Sequence, residues 1–559
     1  MRAGTGLGID VVQGGLESMH SSCSVQRQVR AACHLAAVTP FLVACGLEMA
    51  RGWRPTGDDA NITFRSWDVL SSHSPLVGQF SQAGVHSESP IYDLGPLLYW
   101  LLTVPVHLDH SQGALWGAAI LCAAGAAVAV EAAWSARGWS ASVAVATIVL
   151  AMVAVNPQIA LDPTWNPDVG LVWFVATGAL AWAVASGHLR WWPVLVVVGS
   201  FTGQSHLMFA VGSIACIVVA PVIGFLRARA TGWWVPTGVL VGMACWAAPT
   251  IQQLTTHPGN LTLLARFHGS EQPFGTAFGL RSLAAAVGPV PVWTGRPGGT
   301  NPFVLYDSIQ AHAAAAGVAV LVGLLAIAVG GWMTARLDLA AAAAVVLVLS
   351  VSLVWTCASV PYGSLTIAYI DTSSWPVGMA AVLAAAWALG ELGLAGARRL
   401  AATQAARRRR TGPMRAGPGW AVLLGAATVA LGAVATVIVG SGIGSSSDGD
   451  DPWATVAQMQ GVSHHIEQVV PPGRVAIVGG TAPGGQGSLA LYGLITGLVW
   501  ELYADGWRPE TSLATSAFVV PQVAPGPTLP PATATISYGG SGSTARVVIT
   551  NQGRASLEG

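Results

Sequence analysis

The 559-residue sequence contains no lysine, and only 9% of its residues are charged. Soluble domains carry about a quarter charged residues, so this shortage excludes an ordinary water-facing surface. The 25 basic residues, all arginine, balance 25 acidic ones. No net basic field is left to hold a nucleic acid. Cysteine is sparse as well: Cys23, Cys33, Cys45, Cys122, Cys216, Cys245 and Cys357, with no close-spaced pairs. That spacing excludes a zinc pattern or a disulfide framework and leaves small apolar packing residues. Residues 1–30 lack the basic-then-apolar order of a secretory signal and read as a flexible cytoplasmic tail.

What is present is apolar: 53% of the chain is hydrophobic, with a mean hydropathy of +0.58. A helix needs about 20 apolar residues to cross the hydrocarbon core. Candidate spans fall at 31–50, 113–134, 140–156, 168–186, 191–204, 206–225, 233–251, 311–332, 337–358, 373–396 and 419–440. The run 191–225 is either one long helix or a hairpin turning near Gln204–His206. Residues 94–107 are apolar but short and contain Pro96 and Pro105, which suits an interfacial helix. Arginines mark alternate short loops, at Arg137, Arg190, Arg227 with Arg229, Arg336, and the run from Arg398 to Arg415. The positive-inside tendency makes that side the cytoplasm. The prediction is an all-α polytopic membrane domain over 31–440 with about eleven spans. Its outer loops are 51–112 and 252–310, and a small extracytoplasmic α/β domain follows over 441–559. In that tail, G-G-T-A-P-G-G-Q-G follows a predicted strand but matches neither phosphate-loop fingerprint.

The outer side collects the polar chemistry. The loop after the first span opens with Asp58 and Asp59 in G-D-D-A-N-I-T-F-R-S-W-D. On a helix, Asp58 and Arg65 share a face about 10 Å apart, with Asp68 one turn further. A carboxylate can take a proton from a hydroxyl, and a guanidinium can hold a phosphate with paired donors. The same residues would also serve as a helix cap followed by a surface ion pair. Residues 156–168, N-P-Q-I-A-L-D-P-T-W-N-P-D, add Asp162, Trp165 and Asn166. Trp165 suits a sugar face or an interface anchor. Gln204 and His206 interrupt an apolar run, where polar groups are functional suspects, though a neighbouring helix can satisfy a lone histidine. Arg266 sits in the loop 252–310, on the side where arginine is not expected, and an anionic headgroup or phosphate would account for it.

These pieces carry a resemblance. The acid pair just after the first span and P-I-Y-D-L-G-P-L-L-Y-W-L-L at 90–102 resemble the first outer loop of the type C membrane glycosyltransferases. That superfamily includes the protein O-mannosyltransferases and lipid A aminoarabinose transferases. The ordered set G-D-D-A, S-P-L-V-G-Q, G-P-L-L-Y-W-L-L, W-N-P, Q-S-H and P-G-N-L is similar to an actinobacterial group of such proteins, over roughly 45–270. The resemblance implies transfer of a sugar from a polyprenyl-phosphate carrier, with inversion, to an envelope glycan, glycolipid or protein. It implies that the first acid is the general base, which maps to Asp58. Asp59 stands where Glu is usual, so either acid could hold that role. Gly95 precedes Pro96 where a second proline is frequent. Some relatives hold a divalent cation (Mg or Mn) with acids from two outer loops, which would make Asp162 the second ligand. Two other classes compete: a lipid or solute transporter, which predicts broken helices and an internal repeat, and a non-catalytic envelope scaffold of the same descent.

Overall fold

A computed structural model of the chain describes residues 7–81, 90–228, 232–267, 272–289, 291–293, 302–361, 371–407, 428, 432–437, 452–469, 474–478, 487–511, 534–539, 546–551 and 554–558. Helices dominate. In order they are α1 Leu7–Ala50, α2 Gly57–Asp68, α3 Leu97–Leu108, α4 Gly113–Arg137, α5 Trp139–Val155, α6 Gln158–Leu161 and α7 Asn166–Ala185. There follow α8 Trp192–Ser205, α9 Leu207–Ala228, α10 Trp234–Cys245, α11 Ala247–Thr255, α12 Asn260–Phe267, α13 Thr276–Val287 and α14 Pro302–Gln310. The series continues with α15 Ala314–Met333, α16 Leu337–Ser359, α17 Ser374–Arg407, α18 Pro452–Val469 and α19 Gly487–Ala504.

Among the described residues seven helices are long and apolar enough to cross a membrane, or eight if the pair α10–α11, bent by 47°, is one span. The chain is a multi-pass membrane protein. The count falls short of eleven for a reason of length. At 1.5 Å per residue, α5 reaches about 26 Å and α8 about 21 Å, less than a ~30 Å hydrocarbon core. Most of the predicted span 419–440 lies outside the described residues. So does the Gly-rich stretch 479–486.

Two expectations are corrected. Helix α1 begins at Leu7, inside the segment read as a flexible tail. Residues 7–30 contain no proline, and extending a helix already nucleated downstream is cheap. The segment 252–310, read as a loop, holds three helices. One of them, α13, buries Phe278, Leu283, Ala285 and Ala286 and packs against α15, α16 and α17. Close approach drives this: a side chain at Gly279 would collide with the Val354 carbonyl. In the run 191–225 the hairpin prevails. Helix α8 ends at Ser205, His206 is extended at φ −156 and ψ 142, and α9 starts at Leu207.

Helix α7, buried nearly throughout, is the central post, packed against α4, α8, α9 and α16. Beyond residue 440, α18 and α19 pair with each other, and α19 lies on α2. Five strands follow: β1 Arg474–Val478, β2 Arg508–Thr511, β3 Ala534–Gly539, β4 Arg546–Asn551 and β5 Arg554–Glu558. Their order is β2-β1-β3-β4-β5, with β1 parallel to β2 and β3 and the rest antiparallel.

Candidate functional site

Helix α2 starts where Pro55 and Gly57 end the turn after α1, and acids in its first turn suit the helix dipole. Its two aspartates face different surroundings. Asp58 is half-buried, and both of its oxygens accept hydrogen bonds. Gln79 Nε2 donates to Oδ1 at 3.1 Å, and Trp165 Nε1 donates to Oδ2 at 3.1 Å. Gln79 is itself held by the Tyr99 hydroxyl, which donates to its Oε1 at 3.0 Å. Two charge-assisted bonds from separate segments fix the carboxylate plane while leaving it reachable.

Asp59 points into the protein and is buried. It faces Asp162, and neither Oδ1 has a hydrogen-bond donor. Burial, then the Asp162 charge, raises the Asp59 carboxyl well above the usual carboxylate range. Burial likewise raises Asp162 to about 6, with Glu48 and Asp58 adding and the bond to Asp59 opposing. Two facing carboxyls without a donor are satisfied by one shared proton.

A third acid, not singled out from the sequence, ties the loops together. Asp93 is buried and accepts from Asn166 Nδ2 at 3.0 Å and from the Leu207 N–H at 2.9 Å. Burial pushes its carboxyl well above the ordinary range, and the Leu207 bond opposes that. Asn166 Nδ2 also reaches the Ser205 carbonyl at 2.8 Å. The backbone of 78–81 pairs with 91–93 through an antiparallel bridge between Phe80 and Tyr92. Asn260, at the start of α12, grips Tyr92 from the other side: its Oδ1 accepts from the Tyr92 N–H and its Nδ2 donates to the Tyr92 carbonyl, both at 2.9 Å.

The predicted residues largely converge on this frame. Gln204 is buried, donates to the Cys245 carbonyl at 2.9 Å, and lies against Gly95. A side chain at Gly95 would collide with Gln204 Oε1, so a larger residue there would have to displace Gln204. His206 Nδ1 accepts from the Met208 N–H at 3.2 Å, which caps α9. Arg65 pairs with buried Asp68 at 3.6 Å, and its charge bears on Tyr92 and Tyr99. The Asp58 charge also bears on Tyr99. Arg266 stays apart: it is exposed on α12, about 9 Å along the axis from Asn260. Among the described residues no group of three or more His, Cys, Asp or Glu is arranged to hold a metal ion.

Sequence reasoning missed Gln79, Asp93, Tyr99 and Asn260. Each lies inside one of the short motifs already noted, so the motifs were the available signal. Comparison with protein-family models, curated proteins and solved structures returned no match.

Proposed function

We propose that this chain is an integral-membrane glycosyltransferase that moves a sugar from a polyprenyl-phosphate donor to a cell-envelope acceptor on the extracytoplasmic face. The observation that carries the reading is the setting of Asp58. Its carboxylate is half-buried and oriented by donors from two other segments, and its charge and that of Arg65 both bear on Tyr99. Asp58 takes the proton from the acceptor hydroxyl as that oxygen bonds to the anomeric carbon. The bond from that carbon to the carrier phosphate breaks, and the phosphate leaves with the electron pair toward the Arg65 guanidinium. Attack opposite the leaving group inverts the anomeric centre. Asp59, protonated with Asp162, positions α2 rather than acting as base.

The orphaned oxygens of Asp59 and Asp162 also fit a divalent cation, since Mg²⁺ is commonly held by one or two carboxylates plus substrate phosphates. Bound there in place of the shared proton, it would balance the charge of the two carboxylates. In this reading Trp165 carries a sugar face, and Asn166, Gln204 and His206 hold the wall behind it. Helix α3, with exposed Trp100, Leu101, Val104 and Leu108, lies along the bilayer surface. The segment 441–559 is an extracytoplasmic α/β domain.

One observation favours transport instead: the 47° bend between α10 and α11 resembles a broken span. The buried acids Glu48, Asp59, Asp68, Asp93 and Asp168, however, gather near the end of α1, the start of α7 and the segments between. The deciding experiment offers the purified protein in liposomes a panel of polyprenyl phosphates carrying different labelled sugars. Release of free polyprenyl phosphate with one donor supports transfer. Movement of intact donor between leaflets without release would support transport.

A further inference from the structure

A second feature runs along the bundle, with its charged end far from Asp59 and Asp162. Helix α7 places Asn166 and Trp182 about 24 Å apart along its axis, and Trp182 opens onto a cavity of about 510 Å³ between α5, α7, α16 and α17. Its walls are apolar and small, with Ala144, Ile148, Gly178, Leu349, Ala380 and Leu383 among them. Along α17 it runs from Pro376 to Leu394, about 27 Å, close to the depth of a hydrocarbon core. Leu383 and Leu394 line it and are also exposed, so it opens sideways toward lipid. Residues 432–437 do not cover it. Ala435 packs with Ala36 and Leu150, on a different face of α5 from Ile148.

Polar groups are confined to one end. Glu391 accepts from Arg336 and pairs with Arg137 at 3.6 Å. The Arg137 guanidinium lies 3.9 Å over the Trp387 ring. Two guanidiniums thus share one carboxylate, and their side chains remain 36% and 42% exposed. Asp338, two residues after Arg336, is paired with Arg227 at 2.9 Å. The end of the groove therefore carries a net positive charge with spare donors.

We propose that this groove binds an anionic phospholipid, one acyl chain along α17 and the headgroup phosphate between Arg137 and Arg336. Charge decides the occupant: two guanidiniums share one carboxylate at one end, and the walls beyond them carry no charge. The length and apolar walls match a single hydrocarbon chain, and basic pockets between membrane helices suit anionic headgroups. The proposal does not depend on the transferase reading.

The test uses the full-length protein in neutral detergent. Dioleoyl phosphatidylglycerol, dioleoyl phosphatidylcholine and soluble glycerol phosphate are each titrated, with lipid retention read by native mass spectrometry and stability by thermal unfolding. Phosphatidylglycerol should be retained at one equivalent and raise the melting temperature, with phosphatidylcholine about tenfold weaker. The double change Arg137→Gln and Arg336→Gln should erase that preference, and Ala144→Phe should reduce retention of both lipids. Equal retention of the two lipids by the unaltered protein would overturn the proposal. So would stabilisation by glycerol phosphate matching that by the whole lipid.

Discussion

Adjacent aspartates on one helix turn point about 100° apart, and that geometry gives Asp58 and Asp59 separate tasks. Replacing Trp165 with Phe keeps the ring and removes one bond to the Asp58 carboxylate. Hydrogen bonds to charged groups are worth about 1.5–3 kcal/mol, so turnover should fall by about ten- to a hundredfold with little change in KM. Steady-state kinetics of Trp165→Phe checks this. The Asp59–Asp162 pair gives a pH signature. Its folded form keeps a proton that the unfolded chain releases, because Asp162 is raised from 3.8 to about 6 and Asp59 is raised well above 3.8. Its contribution to stability is therefore full below about pH 4 and is lost as pH rises through about 6 and beyond. Asp59→Asn supplies a neutral donor in place of the shared proton. Thermal unfolding should show the variant gaining on the unaltered protein between pH 4.5 and pH 8. A parallel pH dependence in the two proteins would remove the shared proton from the account.

At the level of elements, α2 is held from behind by the C-terminal helix α19. Phe64 meets Trp500 at 5.7 Å and Tyr503 at 4.5 Å, and Arg54 pairs with Glu501 at 3.3 Å. Trp500 Nε1 donates to the His110 carbonyl at 3.0 Å. Trp500→Ala should cost about 3–5 kcal/mol and loosen α2, read as faster amide exchange over residues 57–68. Unchanged protection there would contradict a positioning role for α19. The sequence made most helix positions legible, because hydropathy and Pro/Gly punctuation act locally, but it left 191–225 open between one long helix and a hairpin. It did not reveal this clamp, since Phe64 and Trp500 lie far apart in the chain and each reads as ordinary apolar content. It also hid α13, whose short apolar run is stabilised by packing against three longer helices rather than by its own pattern. The motif order pointed to the site, but not to Asp93 or Asn260. Asp93 meets Asn166 and the Leu207 N–H, and Asn260 meets the Tyr92 backbone, partners far along the chain that the motifs do not name.

On the scale of the whole molecule, two groups of described polar residues lie far apart. The acids, Trp165, Asn166 and the Gln204–His206 turn form one, and Arg137, Arg227, Arg336, Asp338 and Glu391 form the other. With arginines favouring the cytoplasm, a reporter active only outside the cytoplasm should work when fused after residue 445, and silence there would reverse the orientation. The chemistry itself is tested most directly at Asp58. With the donor that supports transfer, turnover of Asp58→Asn is predicted to fall by about 10²–10⁴, while Asp59→Asn falls much less. Turnover of Asp58→Asn equal to that of the unaltered protein would contradict the account.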